Sequence, residues 1–197
     1  MMVPFPNRGL WILRFLASAV LLAGCSSAPS PGPYSPTSEV QRDSTKSDRL
    51  ATEAAELLES DPKRAEELLR LAINADLYNG RAHNNLGTLH LAQGRLYEAA
   101  NEFEWARKLM PGHPDPRLNL ALTLEKAGRI DDAITTYTTA LEVYPEHIAT
   151  MQALARLQVR TARVNDHTAQ MLEVIALRGE TPGWRDWAKL QRTQLSQ

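Results

Sequence analysis

The chain has 197 residues, 43% of them hydrophobic and 23% charged, which is one domain's worth with enough apolar side chain to bury a core. A formal net charge of -1 gives no overall attraction for nucleic acid, so that class of partner is not expected.

The first 24 residues do not belong to the fold. Arg8 and Arg14, with no acidic residue, precede the apolar run from Phe15 to Ala23 and then small residues, the pattern of a secretory signal over 1–24. The run is too short to span a bilayer comfortably. Leu22-Ala23-Gly24-Cys25 then resembles the lipobox of bacterial lipoproteins, and the chain's one cysteine stands in it. The resemblance implies cleavage before Cys25, diacylglycerol on its sulfur and an acyl chain on its new amino group; the other reading is a secretory peptide with an incidental cysteine. Each buried methylene contributes about 0.8 kcal/mol and one acyl chain anchors only marginally, so a multiply acylated Cys25 would hold the membrane firmly. Residue 26 is Ser rather than Asp, which by the sorting habit of Gram-negative lipoproteins implies the outer membrane, facing the periplasm. Loss of 1–24 removes two of the 22 basic residues and none of the 23 acidic ones, leaving a mildly acidic chain.

Residues 25–45 are mostly Ser, Pro, Gly and Thr with almost no large apolar side chain, and cannot bury enough surface to order themselves. They are expected to form a tether. At roughly 3.1 Å per residue, about 20 residues reach about 60 Å from the membrane.

Residues 46–181 read as one helical domain. From Ser47 to Asn79, Ala65, Leu69 and Ala72 recur 34 residues later as Ala99, Phe103 and Ala106, and Asp61-Pro62 supplies a helix cap followed by proline at the first helical position. The first helix of this copy has Thr52 and Glu53 where the next has Leu86 and Gly87, a polar change suited to an end repeat whose outer side nothing covers.

Gly80–His113 and Pro114–His147 are the same unit written twice. Leu86 falls on Leu120, Gly87 on Ala121, Gly94 on Gly128, Ala99 on Ala133, Phe103 on Tyr137, Ala106 on Ala140 and Pro111 on Pro145. Gly94 and Gly128 lie between two helical stretches, where a left-handed residue stops the first helix and reverses the chain. Steps of three and four from Leu96 to Met110 and from Ile130 to Tyr144 make one apolar stripe per second helix, alternating small and large. Pro111 and Pro145 end those helices.

The pattern resembles the tetratricopeptide repeat (TPR), whose signature positions are met by Leu86-Gly87, Ala99, Phe103, Ala106 and Pro111, and whose period is also 34 residues. The resemblance implies an all-α solenoid of about three to four helical hairpins. Beyond His147 the period decays into a fourth, degenerate repeat: Leu154-Ala155 keep the signature pair and Val164, Met171 and Val174 fall on the stripe, while His167 and Val174 stand in place of the small alanines. Thr181-Pro182 then opens a last helix over 182–197, a capping helix and tail, with Trp184, Trp187, Ala188 and Leu190 or Gln191 on its apolar face. The two tryptophans are either partner anchors or, as expected here, a cover for the end of the core.

Catalytic chemistry finds no foothold. The single cysteine is committed to lipid, and the ten glycines are scattered rather than gathered into a phosphate loop. His83 and His90 share a helix face without a nearby carboxylate, a poor zinc site, and read as surface or packing residues. His113 and His147 mark the repeat. Asp131-Asp132 complement a helix N-terminus, and Glu53, Glu56, Glu59, Glu66 and Glu67 read as solvated charges. No cofactor, metal or small-molecule substrate is expected.

Binding remains. By analogy with the family, the first helix of each hairpin lines a concave groove, which would present Asn84, Asn85, Thr88, Asn119, Leu122, Gln152, Arg156 and Arg160. Asparagine amides can satisfy both polar groups of an extended peptide backbone, and the last three residues could meet an acidic partner. Asn85 and Asn119 match two positions of the carboxylate clamp that grips chaperone C-termini, but Asn84 stands in place of its lysine and Thr88 in place of an asparagine, so such a partner is not expected. The chain is therefore expected to be a non-catalytic adaptor or assembly factor of the cell envelope, holding a protein or peptide segment of an envelope complex such as a pilus or secretion machine. The alternative is a regulatory tether for a peptidoglycan hydrolase or synthase.

Overall fold

The computed structural model describes residues 42–195, so the secretory segment, Cys25 and most of the expected tether lie outside the described residues. Among the described residues there are nine α-helices and no strand: α1 (Ser44–Leu57), α2 (Pro62–Ala75), α3 (Gly80–Ala92), α4 (Leu96–Leu109), α5 (Asp115–Lys126), α6 (Ile130–Val143), α7 (Ile148–Arg160), α8 (Asp166–Arg178) and α9 (Pro182–Leu195). They form four hairpins, α1/α2, α3/α4, α5/α6 and α7/α8, stacked in order, with α9 laid on α8. The first helices α1, α3, α5 and α7 approach one another from hairpin to hairpin and the second helices do so less, so the first helices lie on the inner side of the curve. None of the described helices is long and apolar enough to cross a membrane.

The small-large alternation decides how the hairpins close. Ala99, Phe103 and Ala106 of α4, and Ala133, Tyr137 and Ala140 of α6, are buried, and the aromatic rings fill the space the alanines leave. Gly94 and Gly128 adopt φ of +74° and +76° with open space where a Cβ would stand. Their backbone conformation, rather than crowding, asks for glycine. The α4 and α6 helices stop at Leu109 and Val143, each with one residue between it and the expected proline. Asp61 caps α2 through the Arg64 amide, with Pro62 behind it. The α1 helix begins at Ser44, two residues inside the stretch read as tether, because the Asp43 side chain accepts the Lys46 amide and caps it there.

Two expectations fail because the period is not 34 everywhere. In α1 the buried residues are Ser47, Leu50, Ala51 and Ala54, repeating His83, Leu86, Gly87 and His90 of α3 at an offset of 36. Leu50-Ala51 therefore take the signature pair, while Thr52 and Glu53 are exposed. Two extra residues between Ala54 and Ala65 cause the slip. In α8 the buried positions are Thr168, Leu172 and Ile175, which follow Ala133, Tyr137 and Ala140 by 35. His167 is exposed and Val174 only half-buried. The turn before α8 is longer than its predecessors, and Asn165 with Thr168 closes it in a reciprocal capping box. Leu154-Ala155 are buried as the repeat requires, and Met171 is buried too, although Leu172 rather than Met171 takes the place of Tyr137.

The end of the stack is covered by α9. The Thr181 hydroxyl accepts the Trp184 amide at 3.3 Å. Ala188 is fully buried, and Trp184 and Trp187 pack half-buried on the core, edge to face at 5.4 Å between centroids. Gln191 is half-buried and Leu190 exposed, so the face runs through Gln191.

Candidate partner-binding groove

Side chains bridge the first helices in sequence along the inner side. Arg81 of α3 donates to the Thr52 hydroxyl of α1 at 2.9 Å, Asn119 Nδ2 of α5 donates to the Asn84 side-chain Oδ1 of α3 at 3.2 Å, and Arg160 of α7 donates to Glu125 of α5 at 2.9 Å. The expected groove residues are placed unevenly. Asn84 and Asn119 are tied to each other, both half-buried. Asn85 is half-buried, and Thr88 is exposed with its hydroxyl turned back to the Asn84 carbonyl. Leu122 packs against the core and presents only part of its surface. Gln152 was expected at the groove surface, but only 2% of it is exposed. The α7 helix is buried continuously from Thr150 to Ala155, not along one stripe, and this covers the position that α3 leaves open.

Arg156 and Arg160 are exposed and converge on one carboxylate. Glu125 Oε1 accepts from both, at 3.5 and 2.9 Å, while Oε2 accepts the Tyr137 hydroxyl at 3.1 Å. The Glu125 side chain is 8% exposed, and burying a carboxylate there is tolerable because two cations and a hydroxyl satisfy it. Burial, with the Glu125 charge beside it, pushes the Tyr137 hydroxyl well above the usual phenol range, so it remains a donor.

The sequence reading missed the end of the groove at α1. Asp48, Arg49, Thr52, Glu53, Glu56 and Arg81 line a concavity of about 440 Å³. Aligned at the offset of 36, Asp48 and Thr52 fall on Asn84 and Thr88, so the signal was present and lost only through the assumed fixed period. Glu53 and Glu56, solvated charges by their sequence context, are exposed and line this concavity.

Elsewhere the polar interior is structural. His83 and His90 are buried, at 4% and 3% exposure. His83 Nδ1 lies 2.6 Å from Glu102, which α4 brings next to it, Nε2 faces the Leu77 carbonyl oxygen at 3.0 Å, and the ring stacks on Trp105. Burial, reinforced by the Arg95 charge, lowers the pKa of His90 and keeps its imidazole neutral. Glu66 is not the solvated charge the sequence suggested: Arg95 of the next hairpin and Arg70 both donate to it, and the bond from Arg95 above all brings its pKa to about 2. Among the described residues no cluster of His, Cys, Asp and Glu could hold a metal ion.

Residues 90–157 match the family model described as tetratricopeptide repeat. Tetratricopeptide repeat protein 8 of Mus musculus is 26% identical over 98 residues, half of this chain, and the match spans only 19% of that protein's own length. Among solved structures, a tetratricopeptide repeat protein from Parabacteroides merdae superposes with a TM-score of 0.64 at 21% identity, covering 77% of this chain and 60% of that one. The pilF protein of Pseudomonas aeruginosa superposes with a TM-score of 0.57 at 22% identity, covering 78% of each chain. The first TPR of Spaghetti (RPAP3), solved with an HSP90 peptide, gives 0.57 at 16% identity over 61% of this chain and 96% of that one. These likenesses show the fold.

Proposed function

We propose that this tetratricopeptide-repeat solenoid is a non-catalytic adaptor of the bacterial cell envelope, anchored in the outer membrane through lipid on Cys25 and holding a segment of a partner protein in its groove, in a pilus or secretion machine. The observation that carries the binding role is the row of polar side chains along the first helices, from Thr52 and Arg81 through Asn84 and Asn119 to Arg156 and Arg160. That row offers donors and acceptors to an extended backbone. The Spaghetti repeats seen with a peptide support a peptide as the occupant, and the sequence Leu22-Ala23-Gly24-Cys25 supports the anchor. The likeness to pilF supports the pilus branch of the reading.

Pull-down from membranes tests the groove. Substituting Asn84→Ala, Asn119→Ala and Arg156→Glu together is expected to lose the partner while the chain stays folded by circular dichroism; unchanged recovery removes the groove from the account. Cys25→Ala is expected to release the protein from the membrane fraction, and retention there would remove the lipid.

A further inference from the structure

The groove differs in charge from one end to the other. Aligning the buried faces of the first helices, rather than counting a fixed period, places Asp48, Asn84, Leu118 and Gln152 at one groove position, Thr52, Thr88, Leu122 and Arg156 at a second, and Glu56, Ala92, Lys126 and Arg160 at a third. Read from α1 to α7, the third position passes from acidic through apolar to basic. At the α1 end, Asp48, Glu53 and Glu56 line the concavity of about 440 Å³ beside Arg49 and Arg81. Glu53 and Glu56 are exposed and, among the described residues, joined to no neighbour by a hydrogen bond or ion pair, and Arg81 gives its bond to a hydroxyl. The middle of the groove, Asn84, Asn85, Thr88 and Asn119, carries no charge. At the α7 end, Lys126, Arg156 and Arg160 are all exposed, and one buried carboxylate, Glu125, answers the two arginines. Gln152, one turn before Arg156, is buried and adds nothing to the surface of that end.

We infer that the groove selects a bipolar segment of the partner protein, one that carries basic residues where it crosses α1 and acidic residues where it crosses α7, with polar or small residues between. The inference rests on the reading of the groove as the binding surface. Successive helices about 10 Å apart make a path of about 30 Å across four of them, which an extended chain covers in about nine residues. Opposite charges at both ends fix where along the groove such a segment sits, because sliding it by one hairpin removes the complement at one end.

The test uses the full chain and four labelled peptides of about twelve residues: lysines at one end and glutamates at the other with serine and alanine between, the same composition with lysine and glutamate alternating, an all-lysine version and an all-glutamate version. In fluorescence anisotropy at low salt the bipolar peptide is expected to bind about tenfold tighter than the alternating one, with the advantage shrinking as salt rises. A photoreactive group at its lysine end is expected to label α1, and one at its glutamate end α7. Glu53→Lys with Glu56→Lys, at two exposed side chains, is expected to abolish the preference without touching the fold. Equal binding of the alternating peptide, labels in the opposite order, or binding of none of the four overturns the charge order. Absence of the preference in the parent chain together with retained, groove-dependent pull-down of the partner would mean that the charge order fails and the groove reading stands.

Discussion

A Cβ built on Gly87 would stand 2.7 Å from Cε1 of the Phe103 ring, so the first helix of the second hairpin is notched where the second helix sets down its largest buried side chain. The crowded partner is a rigid ring in a filled core, which cannot swing aside. Gly87→Ala gains about 1 kcal/mol of helix propensity and costs about 1–3 kcal/mol of overpacking, so it is expected to lower the melting temperature on balance. Phe103→Ala, which empties the notch, should cost about 3–5 kcal/mol. In a Phe103→Leu background the Gly87→Ala cost should shrink, since the ring edge is gone; a double-mutant cycle in urea measures the coupling.

The reversal between α7 and α8 runs through Ala162 at φ of 54°, at the place of Gly94 and Gly128. Holding a residue with a Cβ there costs about 1–2 kcal/mol, and a glycine at the same place loses about 0.4–1 kcal/mol through the unfolded chain. Ala162→Gly is therefore expected to stabilise by about 0.5–1 kcal/mol, and Gly128→Ala to destabilise by a similar amount. Urea midpoints of the two variants should move in opposite directions.

Glu66 joins two hairpins through Arg95 and sets a limit on acid stability. Its pKa in the fold, about 2, lies below that of the unfolded chain, so its contribution is complete above about pH 4.5 and is lost as pH falls toward 2. Partial exposure reduces that contribution to about 1–2 kcal/mol. Glu66→Gln should be less stable than the parent at pH 7, and the gap should close between pH 5 and pH 2. A gap that stays constant across that range would separate the carboxylate from the effect.

Tyr137 fills the same place in its hairpin as Phe103, with the addition of a hydroxyl bound to Glu125. Tyr137→Phe keeps the ring and removes one of three donors to a nearly buried carboxylate, for an expected loss of about 1–2 kcal/mol. Thermal melts should rank it well below Phe103→Ala in severity.

The fold was legible where the unit is regular. Gly94, Gly128, Phe103 and Tyr137 announce two hairpins because turn chemistry and stripe agree, and Asp61-Pro62 and Thr181-Pro182 marked helix starts that the structure contains. The end repeats were misread by one or two residues, since insertions at the turns before α2 and α8 shift which side chains face inward without changing their composition. Among the residues that the family resemblance proposes for a groove, Asn84 and Asn119 bond to each other and Arg156 and Arg160 meet at Glu125, while Asp48 and Glu56 of α1 escape a reading at a fixed period for the same reason. Glu125 was illegible because nothing in a sequence says that a glutamate on α5 will be buried beneath two arginines from α7. Burial of Gln152 escaped for the parallel reason that it depends on what the neighbouring hairpins lay over α7.

The most direct measurement places a photo-crosslinking amino acid at Thr88, exposed on a groove-lining helix, and separately at Tyr97, 78% exposed on α4, in intact cells. Capture of one discrete partner from Thr88 and none from Tyr97 is the predicted result. The same partner captured from Tyr97 and not from Thr88 would contradict the account.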